Sequence, residues 1–146
     1  ASARRAEATT GIPAHFIVAQ AAHESGWGRS EITGVDGTKS HNLFGIKAGP
    51  GWRGAVAETT TTEGIDGVPR KLTAKFRAYA SYAEAFDDYA KLLAGSSRYA
   101  GVIANAQSAQ GFAQGLQRAG YATDPQYADK LAKVINTTLR VQRAQG

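Results

Sequence analysis

The stretch Gly11–Ser25, "GIPAHFIVAQAAHES", decides how the rest of the chain is read. Phe16, Ile17, Val18, Ala19, Ala21 and Ala22 surround one helical axis, with Pro13 at the first helical position and Gly26 as the stop. A helix that is apolar on most sides belongs inside a domain. Yet it ends on His23 and Glu24, where a carboxylate does nothing for solubility. Steps of four, four and three residues from Pro13 through Ile17 and Ala21 bring Glu24 onto one stripe with apolar neighbours.

Outward from this helix, the pattern changes twice. Ala1–Thr10 is polar and Ala-rich, compatible with a short helix or a linker, and residues 26–54 are Gly-rich with few periodic signals, which predicts an irregular loop. "AVAETTTTEG" and "VPRKLTAKFRAYA" are β-branched or alternating and are joined by the turn-forming "GIDG", predicting a β-hairpin with one polar face. From Ser81 the period becomes 3.6, with Tyr82, Ala85, Phe86, Tyr89, Leu92 and Leu93 on one stripe. Shorter helices are expected around Tyr99–Ala104 and Ser108–Ala119, and a last one from Pro125 onward, with Asp124 as its cap. The fold class is therefore α+β and mostly helical: a helical lobe and a small β-hairpin lobe flanking a groove.

Composition bounds the function. A chain of 146 residues fits one domain, and 42% apolar with 20% charged residues is globular rather than disordered. Met is absent even at position 1, which reads as a single domain, 1–146, excised from a longer chain. No segment resembles a signal peptide, and no apolar run reaches the roughly 18 residues that span a bilayer, so no membrane partner is expected. The absence of Cys excludes disulfides and thiol chemistry. A net charge of +5 suits polyanionic surroundings, but no basic run with interleaved aromatics occurs, which disfavours nucleic acid.

The remaining chemistry centres on Glu24. An apolar stripe and the negative end of a helix dipole both disfavour the ionised carboxylate and raise its pKa. A carboxylic acid kept protonated near neutrality is what protonates a leaving oxygen in glycoside cleavage. The plain alternative is a solvated glutamate at a frayed helix end. "HESGW" lacks the second His of a zinc-binding helix, and with only His15, His23 and His41 and no Cys no metal site is expected. Ser25 and Ser40 lie near histidines without a nucleophile elbow, and "GPGWRG" lacks the Lys and helix start of a phosphate loop.

Four segments in order, "AAHESGWGRSEI", "SHNLFGIKA", "FRAYASYAEAFDDYAKLL" and "AGYATDPQYADKLAKVI", resemble the endo-β-N-acetylglucosaminidases of glycoside hydrolase family 73. The likeness runs from Gly11 to Ile135 and is greatest to the branch found in flagellar rod-assembly proteins. It implies a lysozyme-like fold and places the catalytic acid on Glu24. It implies a second carboxylate in the hairpin on Glu63, with Glu58 in reserve, acting on water directly or beside a substrate acetamido group that attacks instead. By the same resemblance Tyr121 reaches the cleft as an uncharged phenol, while Asn42 and Phe44 line the groove. Trp27, one turn past Glu24, is either an apolar wall for the acid or a plain core residue.

The resulting expectation is a peptidoglycan hydrolase of the periplasm or bacterial cell wall, with no metal and no organic cofactor. Its partner is the peptidoglycan glycan strand, and the resemblance adds flagellar rod components engaged through a missing upstream segment. A muramidase or lytic transglycosylase of similar fold is the alternative enzyme, and a non-catalytic wall-binding module the alternative class.

Overall fold

A computed structural model describes residues 2–26, 32–34, 36–37, 39–65, 67–122 and 124–145, the side chains at 61–65, 70 and 141–145 excepted. Its elements are α1 (Ser2–Thr10), α2 (Ala14–Glu24), β1 (Val56–Ile65), β2 (Val68–Arg77), α3 (Tyr82–Gly95), α4 (Ala100–Ala104), α5 (Ala109–Arg118) and α6 (Tyr127–Gln145), with a 3-10 turn at Ser97–Tyr99 before α4.

The helix α2 lies in the core, as its all-round apolar character requires, burying Phe16, Ile17, Ala19, Gln20 and Ala21 against α1 and α6. Val18 departs from this, being 37% exposed on the outer side. Pro13 stands one residue outside the helix rather than at its first position, and it offers no side-chain cap. The free amide of Ala14 donates instead to Glu7 Oε1 of α1 at 3.0 Å. Residues 2–10 are thus a helix that caps its successor, not a linker. At the other end Ser25 Oγ donates to the Ala21 carbonyl at 2.7 Å, and Gly26 at φ 59° stops the helix as expected.

Tyr89, Phe44, Phe112, Leu93, Leu116, Leu131 and Ile135 are fully buried in one apolar cluster. Each contributes roughly 1.5–3 kcal/mol through burial. On α3 the expected stripe buries Ala85, Tyr89 and Leu93 and partly buries Phe86 and Leu92, while Tyr82 at the helix start is 42% exposed, with its ring 4.8 Å from that of His41. Ser81 and Ser108 cap α3 and α5 by accepting from the amides of Glu84 and Gly111. The last helix begins two residues later than expected. Asp124 accepts from the Gln126 amide at 2.9 Å and forms a turn that feeds α6 from Tyr127.

The hairpin pairs Val56 with Arg77 at its base and Ile65 with Val68 at its tip. Its base is fastened to the loop before it, where Arg77 N donates to Ile46 O and Ala48 N to Lys75 O, both at 2.9 Å. Asp88 of α3 completes the anchor, held by Arg77 Nη1 at 2.8 Å and by the Tyr79 hydroxyl at 2.5 Å. The expected apolar face is covered only near this base. Ala57 is buried, whereas Leu72 and Val68 are 37% and 51% exposed.

Candidate active site

Glu24 closes the last turn of α2, and three side chains from distant parts of the chain converge behind it. Its Oε1 accepts from the Tyr127 hydroxyl of α6 at 2.7 Å. Tyr127 Oη accepts in turn from Gln20 Nε2 at 3.3 Å, and Gln20 Oε1 accepts from the Tyr89 hydroxyl of α3. Gln20 is fully buried one helical turn before Glu24, so its amide must be satisfied internally, and these two bonds do so. Every donor in the chain Tyr89–Gln20–Tyr127 is directed toward Glu24.

This polarity distinguishes the two carboxyl oxygens. With the Tyr127 proton committed to Oε1, a proton on this carboxyl group would sit on Oε2. That oxygen faces Gly45, where an added Cβ would lie 3.8 Å away. Gly45 sits at φ 65°, a conformation that strains other residues, so the backbone beside Oε2 calls for glycine. Burial pushes the Glu24 pKa up, and the Tyr127 hydrogen bond pulls it back by less. Burial first, and then the nearby carboxylate, push the Tyr127 and Tyr89 phenols up, so both remain neutral donors. His23 stacks edge-on to Tyr127 at 5.6 Å; burial first and then Lys130 lower its pKa, favouring a neutral ring.

Tyr121 lies in front of this group. Its hydroxyl donates to the Phe44 carbonyl, its ring lies 26° from that of Tyr127 at 6.3 Å, and burial keeps the phenol uncharged. With Gly45 it borders a recess of about 600 Å³ walled by Ile46, Lys47, Arg77, Leu92, Arg98 and Tyr99.

Asn42 and Phe44 are placed otherwise than the groove-lining role expected of them. Asn42 is buried: its Nδ2 donates to the carbonyls of Ile46 and Arg77 at 2.9 Å, and its Oδ1 accepts from the amides of Phe44 and Ile46 at 3.2 Å. The segment around it has no ladder of its own, so one amide side chain satisfies its backbone. Phe44 is buried too, stacked on Tyr89 at 4.1 Å with Phe86 edge-on at 5.1 Å. Together they fix the loop that carries Gly45 past the acid.

Glu63 lies in β1 opposite Arg70, near the tip of the hairpin, and its side chain is outside the described residues. Seven residues separate it from Val56 at the base, about 23 Å along an extended strand. Glu58 forms an exposed ion pair with Lys75 at 3.6 Å. Trp27 lies outside the described residues. Gln20, Tyr89, Tyr127 and Gly45 were not anticipated as site residues. The available signal was Gln20, a lone amide one turn before Glu24 in an otherwise apolar helix.

A carboxyl group whose pKa is raised by burial, at a helix end with a phenol donating to one oxygen and a glycine beside the other, has the chemistry that the acid of a glycoside hydrolase needs. The chain belongs to the glucosaminidase family, described as mannosyl-glycoprotein endo-β-N-acetylglucosaminidase, which it matches over residues 1–140. It is 53% identical over 133 residues to the peptidoglycan hydrolase FlgJ of Escherichia coli K12, covering 91% of this chain but only 42% of that protein. Among solved structures, a peptidoglycan hydrolase mutant from Sphingomonas sp. A1 superimposes with a TM-score of 0.85 at 51% identity, covering 99% of this chain and 92% of the other. The glycoside hydrolase domain of Salmonella typhimurium FlgJ does so with 0.76 at 45% identity, covering 98% and 85%.

Proposed function

We propose that this domain hydrolyses the β-1,4 bond on the reducing side of N-acetylglucosamine in bacterial peptidoglycan, with Glu24 as the general acid. The observation that carries the reading is the division of labour within one carboxyl group. Oε1 is held by Tyr127, and Oε2 lies beside Gly45, which borders the recess. Oε2 gives its proton to the glycosidic oxygen as the bond to the sugar C1 breaks. The leaving sugar departs as an alcohol, and the charge developing at C1 is met by a nucleophile on the opposite face.

Glu63 is the second carboxylate. It either activates that water or supports the substrate's own acetamido group in attacking C1. Tyr121, neutral and with its proton given to Phe44 O, presents an acceptor oxygen that orients the nucleophile. The domain acts in the periplasm or cell wall. Within a longer protein like FlgJ it opens the wall for a growing flagellar rod, and rod components engage a segment outside this chain.

The test is the chemistry of the new chain end. Purified wall is digested, the products are reduced with borohydride, and their masses are read. Reduced N-acetylglucosamine ends are expected. Muramyl ends would make the domain a muramidase, and 1,6-anhydro ends, lighter by one water, a lytic transglycosylase; either overturns the bond assignment. Near-normal turnover by a folded Glu24→Gln protein would remove Glu24 as the acid.

A further inference from the structure

The recess beside Glu24 carries a charge asymmetry that proton donation does not use. Its floor is apolar, made by Ile46, Leu92, Tyr99 and Tyr121, while Lys47, Arg77 and Arg98 stand around it and no carboxylate lines it. Arg77 is answered by Asp88 at 2.8 Å. Lys47 and Arg98 have no carboxylate partner among the described residues.

Arg98 is also held in place. Its Nε donates to Ala119 O at 2.6 Å and its Nη2 to Gly120 O at 2.8 Å, while the guanidinium lies 5.2 Å from the centre of the Tyr99 ring. Its Nη1 makes no hydrogen bond among the described residues. A guanidinium already fixed by its neighbours has less conformational freedom to lose when an anion arrives. Lys47 stands on the other wall, two residues beyond Gly45.

We infer that this recess is a subsite for the free carboxylates of the peptide stem on the muramic acid unit at the leaving side of the cut, with Lys47 and Arg98 as its charged contacts. The inference rests on the peptidoglycan reading above. The substrate's connectivity favours it. The oxygen that Glu24 protonates is attached to C4 of that sugar, and the stem hangs from C3, the next carbon. A stem therefore leaves the sugar beside the acid, where Gly45 and Tyr121 join the recess to Glu24. Small apolar side chains fit the floor, and carboxylates fit the two cations.

The whole domain is assayed on three substrates: glycan strands with free-acid stems, the same strands with the stem carboxylates amidated, and strands stripped of stems by an amidase, with the lactyl carboxylate this leaves then amidated too. KM on free-acid stems is expected to be about tenfold below the other two, the size of one charge-assisted contact, and the gap should shrink with added salt. Lys47→Gln and Arg98→Gln should each raise KM on free-acid stems several-fold with kcat retained. Lys47→Gln keeps the test sound if Arg98→Gln unfolds, because the Lys47 side chain is exposed and anchors nothing. Equal KM on all three substrates, or variants that impair all three alike, would overturn the subsite and leave the hydrolase reading standing. Cleavage of none would overturn both.

Discussion

The last turn of α2 and the far end of the hairpin each supply a glutamate to the proposed chemistry, and they are built by opposite means. Behind Glu24 stand Tyr127, Gln20 and Tyr89, drawn from three helices and largely buried, so the acid has one position and one oxygen left to act with. Glu63 depends on a two-stranded ladder whose distal half leaves Leu72 and Val68 exposed and whose firm attachments are all at the base. One carboxylate is preorganised by the interior. The other belongs to a strand position seven residues beyond the base, about 23 Å along an extended strand, where the backbone pairs with Arg70. The lesson is that the proton donor is a property of the folded core, whereas the partner glutamate is a property of the hairpin's approach to the glycan.

The largest effect should separate these two ends. Glu24→Gln is expected to cost at least about two orders of magnitude in turnover, and Glu63→Gln, assayed on the same glycan, distinctly less. Equal losses would erase the contrast and assign direct water activation to Glu63; an unaffected Glu63→Gln would transfer the role to Glu58.

Next in size is Tyr127→Phe, which cuts the chain behind the acid. Because this hydrogen bond favours the charged carboxylate, its loss should move the alkaline limb of the pH–rate profile further upward. The buried Gln20 amide loses an acceptor at the same time, so urea unfolding should show a loss of about 1–3 kcal/mol. A limb that moves down would mean that Tyr127 does not stabilise the anion.

Glu24→Gln sharpens the same point through stability. Burial raises the folded-state pKa above its ordinary value of 4.5, so the native protein loses stability as pH rises from 4.5 through the raised value. Glutamine avoids that loss. The variant's thermal midpoint is therefore expected to match or exceed the wild type at pH 8, with the difference vanishing below pH 4.5. A lower midpoint at pH 8 would mean that the network needs a carboxylate to hold together. The smallest effect belongs to Glu58→Gln, whose exposed pair with Lys75 is worth less than about 1 kcal/mol, and turnover should be unchanged.

Local signals were legible where a residue acts on its own segment. Gly26 ends α2 and the β-branched runs pair as read, since these depend on neighbours within a turn or across one hairpin. Glu24 was legible because its helical stripe and its four-segment resemblance coincide. The network behind it was not, because Gln20 meets Tyr127 across 107 residues and no periodicity records such a meeting. Asn42 was misplaced for a related reason. An amide in a Gly-rich loop can face a sugar or tie down the loop, and only the positions of the Ile46 and Arg77 backbones decide.

The Tyr127–Glu24 hydrogen bond also sets an order of events. The two residues are 103 positions apart, so a ribosome makes Glu24 long before its hydrogen-bond donor. A chain that has not yet delivered α6 carries Glu24 without the tyrosine that directs its proton, and without the helix that seals α2 into the interior. On the proposed mechanism such a chain holds the nominal acid without the phenol that fixes one of its oxygens, so the site is complete only once both ends of that long separation have been made.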